Sequence, residues 1–267
     1  MTVPTSSSPA VNALAVRHRL GDLEHTFGPK SEVGVQEKYR SLFIVGSLAG
    51  IAALLGGGVL LWAKVHWGVA MVPLWIAVVA GGLVANSPLF RKGLAARRLH
   101  LYEHGLVVNT TGRRLFAVRW ERTLLYQETV QEVINYKGTQ TPTGRSHASV
   151  LVAPGGDKAR ITDLYAGSPT WAPMIAEAVA RAQVEKVWKL VREGGTVGFG
   201  PFKLSGAGVA NASGEILQWR DVSEVAVRGG MVCVWRAGQT KAWQAPQAQK
   251  VPNLLVFLTI VDNLRHQ

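Results

Sequence analysis

Residues 99–108, LHLYEHGLVV, and residues 202–211, FKLSGAGVAN, carry one pattern twice. Leu99-His100-Leu101 matches Phe202-Lys203-Leu204, and Gly105-Leu106 matches Gly208-Val209. A short alternating run, a glycine and a second apolar run predict strand, turn, strand. Downstream, Ala117 to Trp120 matches Ile216 to Trp219, with 15 residues from Gly105 to Trp120 and 11 from Gly208 to Trp219. The connecting hairpin loop is therefore shorter in the second copy. Trp120 and Trp219 are expected to be equivalent core positions.

Working outward, each copy continues in the same way. In the first, Thr123 to Tyr136 is strand-like and residues 137–147, KGTQTPTGRSH, predict a polar loop. Ala148 to Ala153 and Lys158 to Leu164 predict strands around the turn Pro154-Gly155-Gly156-Asp157. Ser168 and Pro169 then open a helix whose apolar stripe runs through Ile175, Val179, Val184 and Val191, stopped by Gly194-Gly195. In the second copy strands fall at Val222 to Val227, Met231 to Arg236 and Thr240 to Gln244. Pro252 opens a last helix with Leu254, Phe257, Leu258, Val261 and Leu264 on one face. The fold class expected is α+β: two small antiparallel barrel or sandwich modules, 97–195 and 196–267, each closed by a C-terminal helix.

That plan, with LHLYEHGLVV…FAVRW and FKLSGAGVAN…ILQWRDV opening the two copies, resembles the bacterial branch of the pleckstrin-homology-like (PH-like) superfamily. The layout from about residue 40 onward is similar to an uncharacterised actinobacterial family of membrane proteins with tandem PH-like modules. The resemblance implies lipid- or protein-binding platforms without catalysis. The lysine-rich phosphoinositide signature of the eukaryotic members is absent, because His104 and Gly105 occupy that turn.

Ahead of the repeat, Leu42 to Ala63 is 22 residues without a charge, and Trp67 to Asn86 is 20 more. At ~1.5 Å per residue the first makes a helix of about 33 Å, against a hydrocarbon core of about 30 Å. Residues 41–90 therefore predict a transmembrane helical hairpin. The connecting loop holds one basic residue, Lys64. Lys30, Lys38 and Arg40 precede the first helix, and Arg91, Lys92, Arg97 and Arg98 follow the second. The positive-inside rule then gives a multi-pass plasma-membrane protein with both termini cytoplasmic. Residues 1–40 read as a polar, partly disordered segment that contains no motif.

The chain is 48% hydrophobic and 17% charged with a net charge of +12, which excludes a largely disordered protein. The single cysteine, Cys233, excludes an intrachain disulfide and any site with two thiolates. His100-Leu101-Tyr102-Glu103-His104 spells an inverted zinc-protease motif. On a strand, however, its two histidines stand about 13 Å apart, too far to share a metal. Gly198-x-Gly200 and Gly206-x-Gly208 read as turns rather than nucleotide loops. No metal, cofactor or catalytic set is expected. The basic cluster Arg91, Lys92, Arg97 and Arg98 is the candidate membrane-surface site, at ~1 kcal/mol per residue near anionic lipid.

The expected partners are the lipid bilayer, a protein, and anionic lipid in weak contact, with no nucleic acid. The function expected is a non-enzymatic, membrane-anchored scaffold presenting tandem modules to the cytoplasm. A lipid-headgroup sensor at the inner leaflet is the alternative, and an enzyme the minor one.

Overall fold

The computed structural model describes residues 8–30, 37–64, 67–86, 97–109, 114–136 and 139–265. Three helices come early: α1 (Pro9–Arg17), α2 (Glu37–Lys64) and α3 (Trp67–Asn86). The first sheet joins β1 (Leu23–Phe27), β2 (Leu99–Tyr102), β3 (Gly105–Asn109) and β4 (Leu115–Arg119) in the order β1-β2-β3-β4. Next comes a sheet of β5 (Leu124–Tyr136), β6 (Thr139–Val152) and β7 (Lys158–Thr162), then helix α4 (Ser168–Arg192).

The same order recurs. A four-stranded sheet holds β8 (Val197–Phe199), β9 (Phe202–Ser205), β10 (Gly208–Ala210) and β11 (Ile216–Gln218). A three-stranded sheet follows with β12 (Val222–Arg228), β13 (Met231–Arg236) and β14 (Ala242–Gln244), and α5 (Leu254–Arg265) closes the chain. All the strand pairs are antiparallel. The α+β class with small antiparallel sheets stands.

The repeated glycine and tryptophan have the same cause in both halves. A Cβ on Gly105 would collide with the Val118 carbonyl oxygen, and one on Gly208 with that of Leu217. Only glycine lets the neighbouring strand approach so closely. Trp120 and Trp219 each begin a single 3₁₀ turn. The Trp120 indole donates to the Tyr102 carbonyl at 3.1 Å, and the Trp219 indole to the Ser205 carbonyl at 2.9 Å. Trp120 is buried, and Trp219 is half-buried and packed against the same core.

One apolar core runs through both halves, from Leu99 to Leu264, with α4 packed against α5. Phe257 anchors its second half, stacked on Phe202 at 5.1 Å and edge-on to Phe199 at 5.5 Å. A buried polar knot ties the halves together. Asn253, in front of α5 with φ +51°, accepts from the Leu125 amide at 2.7 Å. Its side-chain amide donates to the Thr123 carbonyl at 3.1 Å and to Gln183 Oε1 at 2.8 Å. Gln183, on α4, donates in turn to the carbonyls of Trp120 and Thr123.

Two expectations about the chain are corrected. Residues 137–147 do not form a loop throughout, since β6 starts at Thr139 and pairs with β5 from Tyr136↔Thr139 to Leu124↔Val152. Backbone pairing over that length outweighs a polar composition, as strand propensity is a weak constraint. The second correction concerns the membrane. The two helices stand where the charge-free stretches predict them, and α2 and α3 pack together. Among the described residues, however, no helix is long and apolar enough to cross a membrane.

Freedom from charge is a weaker condition than continuous apolarity. Much of α2 is small, with Gly46, Ser47, Ala49, Gly50, Ala52, Ala53, Gly56 and Gly57, and such residues gain little on leaving water. The transmembrane hairpin, the integral contact with the bilayer, the multi-pass plasma-membrane location and the topology derived from them are therefore withdrawn. The pair does expose large apolar side chains, among them Leu48 and Val59 on α2 and Val72, Trp75 and Val78 on α3.

Candidate functional site

Of the four basic residues singled out in the sequence, Arg91 and Lys92 lie outside the described residues. Arg97 and Arg98 are half-buried at the entry to β2. The Arg98 guanidinium donates to the Arg97 carbonyl at 2.9 Å, while the Asn109 amide donates to the Arg98 carbonyl at 3.0 Å. Both arginines are thus built into the margin of the first sheet, and their charge acts on buried neighbours. The Tyr165 hydroxyl donates to the Asn109 carbonyl at 2.8 Å. Burial pushes its pKa up to about 12, against the opposing pull of Arg97. His100 is buried and shares a 3.0 Å hydrogen bond with the Thr26 hydroxyl of β1. Burial, with Arg98 adding to it, lowers its pKa to about 4. His104 sits instead on the exposed turn beside Glu103, at 3.7 Å. The two histidines of the apparent motif therefore occupy different environments.

The first half also carries two clefts that meet at Arg119, the last residue of β4. Its guanidinium donates to the Arg19 carbonyl at 3.1 Å and pairs with Glu121 at 3.1 Å, which fastens the turn after α1 to the end of the sheet. The smaller cleft, about 220 Å³, lies towards α4 between Glu24, Glu103, His104, Glu121 and Arg181. Acids and bases are mixed there, so neither sign dominates.

The larger cleft, about 420 Å³, follows β4 itself. Leu14 of α1 and His18 just after it form one wall, and the turn from Ala153 to Asp157 forms the other. Arg114 stands at the start of the strand and Arg122 beyond its end. Arg114 pairs with Asp157 at 2.9 Å, and both are exposed. This groove went unseen in the sequence because its walls, Leu14 and His18 against Ala153 to Asp157, lie far apart in the chain. The only local hint was the run Arg113-Arg114 before an apolar strand.

The model of a family of unknown function, DUF6585, matches residues 7–267. The chain belongs to that family. No curated protein and no solved structure matches it. The DUF6585 match begins ahead of α1, so it takes in the N-terminal helix and β1 together with both sheet pairs.

Proposed function

We propose that the chain is a non-enzymatic binding scaffold whose two halves, each PH-like in plan, present one rigid surface to a protein partner. The observation that carries this reading is the Gln183–Asn253 knot. It joins two repeated sheet–sheet–helix halves through a shared core, and so holds their outer surfaces in one relative position. The repeated order of four strands, three strands and a helix supports the PH-like reading. Such a build suits recognition of an extended partner surface better than enclosure of a small substrate, because both clefts of the first half are open to solvent along the sheet margin.

Affinity capture with the immobilised full chain tests this. A small, reproducible set of proteins should be retained, and each should rebind directly when purified. Conversion of a small molecule by the purified chain, with no direct protein partner, would overturn the reading.

A further inference from the structure

The larger groove of the first half is bordered by all five residues of β4, Leu115 to Arg119. Successive side chains of a strand point to opposite faces. A cavity that touches five in a row therefore runs along the strand's edge, where backbone N–H and C=O groups are presented. β4 is the outermost strand of its sheet, paired to β3 on its other side from Gly105↔Arg119 to Asn109↔Leu115. Such an edge is a template for one more strand. At ~3.4 Å per residue it is about 17 Å long, enough for about five residues of a second chain.

The walls turn this edge into a slot. Leu14 of α1 and His18 beyond its end rise on one side, and the Pro154-Gly155 turn on the other. The two ends differ in charge: Arg114 at the start forms an ion pair with Asp157, while Arg119 and Arg122 stand together at the finish. The one acid lining the slot, Asp157, is held by Arg114. Glu121 lies between Arg119 and Arg122, at 3.1 and 3.6 Å, so the far end keeps an excess of positive charge. The corresponding strand of the second half is shorter, three residues, and has an acid in front of it. Glu215 there accepts from Arg236 and from the Trp243 indole.

We propose that the β4 edge is a docking strip for an extended, acidic segment of a partner protein, added to the first sheet as a fifth strand. This rests on the binding-scaffold reading and names the chemistry of its partner. Main-chain hydrogen bonds to β4 supply affinity. Pairing of glutamate or aspartate with Arg122 at the positive end supplies selectivity and makes binding fall with salt. Nucleic acid carries the right charge but lacks the alternating N–H and C=O groups that a strand edge reads.

Panning random displayed peptides on the purified full chain tests the proposal, with the Gly155→Trp protein as counter-target. Gly155 lines the slot and has open space around its Cβ direction and no left-handed φ, so an indole is accommodated at the slot's wall without strain. Enriched peptides should be acidic and free of proline in the middle, where it would remove the donor a strand needs. Their affinity should drop roughly tenfold or more in Gly155→Trp and in Arg122→Glu. Both variants should melt like the native chain. Enriched peptides that bind Gly155→Trp equally well would overturn the slot and leave the scaffold reading standing. Enrichment of basic peptides, or of peptides indifferent to a central proline, would overturn the proposed partner. Failure to enrich any peptide, together with failure to capture a protein partner, would count against both readings.

Discussion

The two halves use one plan with different coverage. In the second, β9 reads FKLS, and its side chains alternate between buried Phe202 and Leu204 and outward-facing Lys203 and Ser205. In the first, all four residues of β2, LHLY, are buried. The difference is α1. Val11, Ala15 and Leu20 form a small core with Tyr102 and Val107 on the outer face of the first sheet. β1 adds to this cover, since Thr26 stands opposite His100, the counterpart of exposed Lys203, and bonds its ring at 3.0 Å.

A second difference lies at the first hairpin. In the second half β8 returns into β9 through the two residues Gly200-Pro201, with Phe199 opposite Phe202. In the first half Phe27 lies opposite Leu99 in the same way, but residues 28–98, α2 and α3 included, are inserted between them. A β-hairpin tolerates such an insertion because loop closure costs little more as a loop lengthens.

The largest expected effect that tests this comparison is at the paired tryptophans. Trp120→Ala should cost ~3–5 kcal/mol, as for a fully buried aromatic, and Trp219→Ala clearly less. Denaturant titration of the two variants reads the difference, and equal losses would break the inequality of the halves.

Next comes the knot between the halves. Asn253→Ala leaves the Leu125 amide without its side-chain acceptor, and each buried orphan costs about 1–3 kcal/mol. Calorimetry should show one transition in the native chain and two in the variant. A single, merely lowered transition would mean that the shared core alone couples the halves.

Gly105→Ala and Gly208→Ala should each cost ~1–3 kcal/mol through the same clash with the neighbouring strand. A neutral change at either would sharpen the repeat by showing which half can give way.

His100 gives the first half an acid sensitivity that Lys203 does not give the second. Its pKa is 6.5 when free and about 4 in the fold. Between those values the unfolded chain binds a proton that the folded chain does not. Stability should therefore fall as pH drops from 6.5 towards 4, and recover as pH rises. Unfolding midpoints across that range, compared with His100→Gln, should show a flatter profile in the variant.

The smallest effect is expected from the insertion. Replacing residues 31–96 by a flexible glycine–serine linker should leave β1 paired to β2 and the melting of the two halves nearly unchanged. A collapse of the first half would show that α2 and α3 do more than interrupt a hairpin.

Much of this architecture was legible locally. The LHLYEHG and FKLSGAG runs placed β2, β3, β9 and β10, since period-2 alternation around a glycine is a short-range signal. The stripes over Ile175 to Val191 and Leu254 to Leu264 placed α4 and α5, because a helix face is written every third or fourth residue. The charge-free stretches placed α2 and α3 as helices but did not decide what those helices do. The candidate site was the least legible part. Its two describable arginines, Arg97 and Arg98, became part of a sheet margin, while Arg114, Arg119 and Arg122 gained importance only beside α1 and the Pro154 turn.

The sequence by itself determined the repeat, most strand and helix positions, and the matching glycines at 105 and 208. Each of these depends on residues close together in the chain or on a pattern compared with itself. Tertiary structure alone decided that β1 closes the first sheet across the inserted helices. It alone decided that α1 covers Tyr102, that Thr26 meets His100, that Asn253 reaches Leu125, and that β4 keeps an edge between two walls. The reason is physical. Burial, edge exposure and long-range hydrogen bonding depend on which surfaces meet, and that is settled by the whole chain's packing rather than by any single segment.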